Sequence, residues 1–177
     1  MARFAIGSSL KMYFGKAETE RWTRDVAAIC RVHEAVASGV VEPFVIPTFP
    51  SIPAVVAIAA PAGMTVGAQD VHWEASGAFT GEVGAPELVE HGVRMVEIGH
   101  AERRAMFGET DETVARKVVA ALDAGLAPVL CIGEPVRDDP SAAAAACVQQ
   151  LEASLRLARE RGVGGRLVVA YEPVWAI

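Results

Sequence analysis

The chain reads as an α/β protein, a (β/α)8 barrel of parallel strands and covering helices, of which these 177 residues supply roughly the first six βα units. Three features lead there. Short apolar runs alternate with longer amphipathic stretches along the whole chain, the pattern of repeated strand and helix units. The runs are almost continuously apolar instead of alternating, so both faces of each strand are buried, as in a parallel sheet. Titratable residues stand just past three different runs: Lys11 after the first, His100 after the fourth and Glu172 after the sixth. In a barrel the carboxyl ends of the strands form the ligand-binding rim, so an amine, an imidazole and a carboxylate can meet one small molecule there. An open doubly wound sheet would need a glycine-rich phosphate loop after its first strand, and Gly7-Ser8-Ser9-Leu10-Lys11 fits neither such motif.

Residues 4–9 make the first strand, and 16–36 one helix whose apolar positions Trp22, Val26, Ile29 and Val32 recur at helical spacing. A second strand follows at 40–47, a short helix at 52–60 and a third strand at 64–69. Residues 70–84, rich in glycine and small polar side chains, form a long loop. A helical turn at 86–90 precedes the fourth strand, 94–99. That run stops at Gly99 and His100, and Glu102, Arg103 and Arg104 follow at once, which marks a strand running into a helix start. Thr110 opens a helix that ends at Ala124, with Gly125 as its stop. The fifth strand is 127–132, an alanine-rich helix covers 141–161, and the sixth strand is 167–171. An eight-unit barrel typically needs ~250 residues. Residues 1–177 are therefore read as one domain, incomplete at its C-terminus, with the remaining units and a mobile lid expected in a longer polypeptide.

Composition narrows the function. With 52% hydrophobic and 21% charged residues the chain suits one domain with a well-filled core. A net charge of −6 argues against a nucleic-acid partner, although a local cation such as Lys11 can still take a small anion. Cys30, Cys131 and Cys147 have no ligand-like spacing, so inert reduced thiols, a cytoplasmic location and no metal are expected. The N-terminus reaches Gly7 too early for a signal peptide, and no stretch of ~18 apolar residues predicts a membrane span.

Several multi-residue motifs, in order and spread over the chain, resemble triosephosphate isomerases: Lys11-Met12, Gly67-Ala68-Gln69, Ser76-Gly77-Ala78-Phe79-Thr80-Gly81-Glu82, Ile98-Gly99-His100 with Glu102-Arg103-Arg104, Leu130-Cys131-Ile132-Gly133-Glu134, and Ala170-Tyr171-Glu172-Pro173-Val174-Trp175. The resemblance implies a TIM barrel and a homodimer. It also implies cofactor-independent interconversion of dihydroxyacetone phosphate and glyceraldehyde 3-phosphate, a step of glycolysis and gluconeogenesis. Carried over, Lys11 is the cation beside the substrate, His100 the electrophile, Glu172 the base and Glu102 a pocket acid. The 76–82 loop becomes the interlocking dimer loop, with Thr80 reaching the partner's site near its lysine.

That chemistry explains the residue types. Moving a carbonyl between adjacent carbons requires removing a proton beside it and returning one a carbon along, which a single carboxylate can do. The developing oxyanion needs prearranged donors, and His100 and Lys11 can supply them. In this family itself the histidine is held neutral by a helix N-terminus, and His100 stands before a helical start. Plainer roles compete: His100 and Glu102 as helix-start residues, Glu97 in a buried ion pair, Cys131 as packing. Departures bear on the substrate. Ser9 and Leu10 stand where the family has asparagine and tryptophan, and Ala101 where it has serine, which leaves space in the pocket. Ser9 and Lys11 are expected to touch a small phosphorylated sugar. A four-carbon ketose phosphate such as erythrulose phosphate is the alternative substrate, and a non-catalytic fragment or assembly module the alternative role.

Overall fold

The structure, a computed structural model, describes residues 2–177. Six strands form among them: β1 (Phe4–Ser9), β2 (Val41–Ile46), β3 (Thr65–Ala68), β4 (Met95–Ile98), β5 (Ala127–Ile132) and β6 (Val168–Tyr171), hydrogen-bonded in chain order. The α-helices are α1 (Lys16–Val32), α2 (Glu34–Ala37), α3 (Ile52–Ala59), α4 (Ala85–Glu90), α5 (Ala101–Phe107), α6 (Asp111–Asp123) and α7 (Pro140–Arg161). The registered pairs β1 with β2, β2 with β3, β3 with β4 and β5 with β6 are all parallel. Every residue of β4 and β5 is buried, the charged Glu97 of β4 included, as in parallel strands covered on both faces. The chain divides into two compact units that share β4.

The first unit runs to Gln69 and includes 87–96. Its core gathers Leu10, Ala27, Cys30, Val45, Val55, Met64 and Val66. Gly67 permits the close approach of β3 to its neighbours, because a Cβ there would lie 2.8 Å from Ile46 and 2.9 Å from Met95. Two expectations for α1 are corrected. The single helix over 16–36 breaks at His33, which takes an extended conformation and accepts the Ala35 N–H at Nδ1, so a side-chain cap replaces one more helical turn. The buried stripe is Thr19, Thr23, Ala27 and Cys30; Trp22 and Val26 pack against the core partly buried, while Ile29 and Val32 are 61% and 85% exposed. Small side chains let the helix sit close to α3, and the Thr23 hydroxyl is satisfied by the Thr19 carbonyl at 2.7 Å, so burying it costs little.

The second unit comprises Asp70–Pro86 and Glu97–Ile177. Here α6 buries Val114, Val118 and Ala121 and packs on α7. Each of these helices has a legible start. The Thr110 and Thr113 hydroxyls reciprocally accept each other's backbone N–H ahead of α6, and Asp139 accepts from Ser141 and Ala142 ahead of α7. The 70–84 stretch is more ordered than its composition suggests. His72 is buried, its N–H donates to the Val83 carbonyl at 2.8 Å, and its ring lies 4.2 Å from Trp73 and 4.3 Å from Phe79.

Candidate active site

β4 delivers His100. Gly99 adopts a left-handed φ of 78°, which glycine reaches without steric cost, and so turns the chain out of the strand. Both polar groups of Gly99 are held: its N–H donates to Glu109 Oε2 at 3.1 Å, and its carbonyl accepts from Arg104 Nε at 3.0 Å. His100 is buried and is the N-cap of α5, its Nδ1 accepting the Glu102 N–H at 3.1 Å. With Nδ1 an acceptor, the neutral ring is assigned its proton on Nε2. That nitrogen lies 3.0 Å from Glu172 Oε2, and the Glu102 carboxylate lies 3.6 Å from Nδ1. The helix-start role expected of His100 is present, and the same ring faces Glu172.

β6 delivers Glu172. Its N–H donates to the Ile132 carbonyl at 2.8 Å, and Val174 N–H to the Glu134 carbonyl at 3.0 Å, which extends the β5–β6 ladder past the strand ends. The Glu172 side chain remains 40% exposed. Glu134, itself buried, anchors the residues on either side: it accepts from Trp175 Nε1 at 2.8 Å and from the Tyr171 hydroxyl at 3.1 Å. The indole hydrogen bond is the chief reason its carboxyl is held below the usual glutamate range, burial working in the opposite direction. Beside Glu172 is a cavity of about 190 Å³ whose lining includes Ala101, Arg104, Cys131, Gly133 and Gln150.

Behind His100 lies a buried ionic cluster. Lys117 Nζ is 2.7 Å from Asp70 Oδ1 and also contacts Glu109 Oε1. Arg103 Nε is 2.8 Å from Asp70 Oδ2 without its N–H directed there, so that contact is ionic rather than hydrogen-bonded. Glu109 therefore spends one oxygen on Lys117 and the other on the Gly99 N–H that precedes His100.

The structure brings His100, Glu102 and Glu172 together. Ser9 and Lys11 belong to the first unit, at the carboxyl end of β1. Lys11 has a left-handed φ of 48°, costly for a side chain with a Cβ, and its carbonyl accepts from Gln69 Nε2 at 2.8 Å. Thr80 stands on the exposed 76–82 stretch. Cys131 is buried with its thiol 3.9 Å from Glu97 Oε1. Among the described residues, no group of three or more His, Cys, Asp or Glu could hold a metal ion, and no helix is long and apolar enough to cross a membrane. Sequence reasoning missed Glu109, Lys117 and Gln150, and it quoted Glu134 only within the Leu130–Glu134 motif, without a role. Of the three missed, only Lys117 carried a signal, as a lysine on the apolar face of an amphipathic helix.

A family model described as triosephosphate isomerase matches residues 4–177. A Pectobacterium atrosepticum protein named L-erythrulose-1-phosphate isomerase is 48% identical over 175 residues, 99% of this chain and 68% of that one. A Synechococcus protein named triosephosphate isomerase is 40% identical over 179 residues, all of this chain and 68% of that one. The crystal structure of triosephosphate isomerase from Bartonella henselae superposes with a TM-score of 0.80 at 30% identity, covering 98% of this chain and 69% of that one. Six consecutive strands with helices between them, His100 following β4 and Glu172 following β6, are thus part of a TIM barrel, and the chain belongs to the triosephosphate isomerase family.

Proposed function

We propose that this protein isomerises a short sugar phosphate by moving its carbonyl to the neighbouring carbon through an enediolate, with Glu172 as base, His100 as electrophile and Lys11 as the cation beside the substrate. The single observation that carries the reading is the 3.0 Å approach of His100 Nε2 to Glu172 Oε2 at the ends of β4 and β6. A substrate inserted there meets a donor for its carbonyl oxygen and a carboxylate for the adjacent C–H. The carboxylate takes the C–H proton, the Nε2–H stabilises the oxyanion as it forms, the proton of the neighbouring hydroxyl passes to that oxygen, and the same carboxylate returns its proton to the former carbonyl carbon. Neither step needs a cofactor.

The first reading of the substrate is the pair dihydroxyacetone phosphate and glyceraldehyde 3-phosphate, after which the family is named. The second is a four-carbon ketose phosphate, favoured by the 48% identity to the erythrulose-phosphate enzyme and by Ala101 lining the cavity beside Glu172. Chemistry separates their products. In a four-carbon ketose phosphorylated at C1 with its carbonyl at C2, the only neighbouring carbon with a free hydroxyl is the interior C3, so the same proton relay yields a second ketose instead of an aldehyde. On this reading residues 1–177 are the first six units of one barrel, Ser9 touches the substrate, and Glu102 supports His100. The protein works in cytoplasmic carbohydrate metabolism as a homodimer through the 76–82 loop, Thr80 included.

The test uses the full-length protein. Glu172→Ala should lower kcat by at least about a hundredfold, and a loss under tenfold would rule out Glu172 as the base and favour a non-catalytic role. Comparing kcat/KM for dihydroxyacetone phosphate and erythrulose phosphate decides the substrate: a preference above tenfold for the latter selects the second reading.

A further inference from the structure

β5 ends at Ile132, yet Gly133 and Glu134 stay buried. The carbonyls of Ile132 and Glu134 hold the Glu172 and Val174 N–H groups. In a parallel ladder successive residues direct their peptide groups to opposite neighbours, so Gly133, between those two, directs its own away from β6. Both of its groups are taken by one side chain on α7. Gln150 Oε1 accepts the Gly133 N–H at 2.8 Å, and Gln150 Nε2 donates to the Gly133 carbonyl at 2.8 Å. A primary amide has one acceptor and two donors in a plane, and here it does what an adjoining strand would do.

Gly133 is also the surface against which the Glu172 backbone lies. A Cβ at Gly133 would be 2.0 Å from the Glu172 carbonyl oxygen and 2.9 Å from Pro173 N. The backbone segment carrying Glu172 is thus seated directly on a peptide whose orientation Gln150 sets. The Glu172 side chain is 40% exposed and meets His100 Nε2 at 3.0 Å, so neighbouring side chains enclose it only in part, and the direction of its carboxylate depends on its backbone as well as on that contact. Misplacing a reacting group by about 1 Å can cost on the order of 100-fold in rate.

We propose that Gln150 is a positioning residue for the reaction: it locks the Gly133 peptide and through it the backbone of Glu172, keeping the carboxylate aimed at the substrate carbon. The proposal builds on Glu172 as base, and its test separates the two. In the full-length protein, Gln150→Leu removes both hydrogen bonds at similar volume, while Gln150→Glu keeps the length and the acceptor but puts a carboxylate against the Gly133 carbonyl. The second variant serves should the first fail to fold.

Either variant should lower kcat at least tenfold with KM within about twofold, and should shift the acid limb of the kcat/KM pH profile. Adding the same change to Glu172→Ala should lower the residual rate less than twofold, because a residue acting through Glu172 has nothing left to act on. A kcat within threefold of the parent, a loss that merely tracks the folded fraction at unchanged pH profile, or an undiminished penalty in the Glu172→Ala background would overturn the positioning role and leave the base assignment standing. If Glu172→Ala by itself retains more than a tenth of the rate, the base assignment falls, and this proposal with it.

Discussion

Lys117 occupies the buried face of α6 with Val114 and Val118, where helical periodicity places apolar side chains. It is tolerated because Asp70 and Glu109 both meet its ammonium, with Arg103 adding a second cation to Asp70. The cluster is more than ballast, since Glu109 also holds the Gly99 N–H one residue before His100. Lys117→Met is expected to destabilise the protein by about 3–5 kcal/mol, because it removes the cation shared by two carboxylates in a desolvated site and leaves them only the partly exposed Arg103. Urea unfolding measures this, and a loss below about 1 kcal/mol would mean the acids relax to solvent. A lysine on an apolar stripe, which sequence reasoning passed over, was readable as a demand for buried anions. Which acids would answer it was not, because Asp70 and Glu109 lie 47 and 8 residues away along the chain.

At the scale of elements, helix starts followed local chemistry where a cap and a change of pattern agreed. Thr110 was legible as the start of α6, and the reciprocal hydroxyl to N–H bonds with Thr113 show why. Thr110→Ala should therefore cost about 1 kcal/mol of stability while Thr110→Ser costs little, as thermal melts of the two variants would show; equal melting temperatures would mean water replaces the cap. The break at His33 was not legible. Histidine is seldom a cap, and what ends α1 is the lone pair of one ring nitrogen finding the Ala35 N–H. The face of α1 was misjudged for a related reason. Apolar periodicity ranks threonine as solvent-facing, but Thr23 returns its hydroxyl to its own helix and can be buried.

For the molecule as a whole, acid stability should depend on Glu134, which ties Tyr171 and Trp175 to the end of β5 on either side of Glu172. Its folded-state carboxyl titrates below the ordinary range, chiefly through the Trp175 indole. A lowered pKa contributes stability that is present above the unfolded-state value, about 4.3, and is lost as pH falls through the folded-state value. Glu134→Gln should lower the melting temperature at neutral pH, and the gap from the parent should narrow as pH is brought below 4; a gap that stays constant down to pH 3 would contradict this. The sequence by itself determined the succession of parallel βα units, the family, and the strand ends that carry Lys11, His100 and Glu172, because apolar runs and short motifs are local properties of a chain. Only the tertiary structure decided that His100 faces Glu172, that a buried ion cluster grips Gly99, and that Gln150 clamps Gly133 beneath Glu172. Each of those depends on polar groups far apart in sequence satisfying one another away from water, and no periodicity encodes a partner.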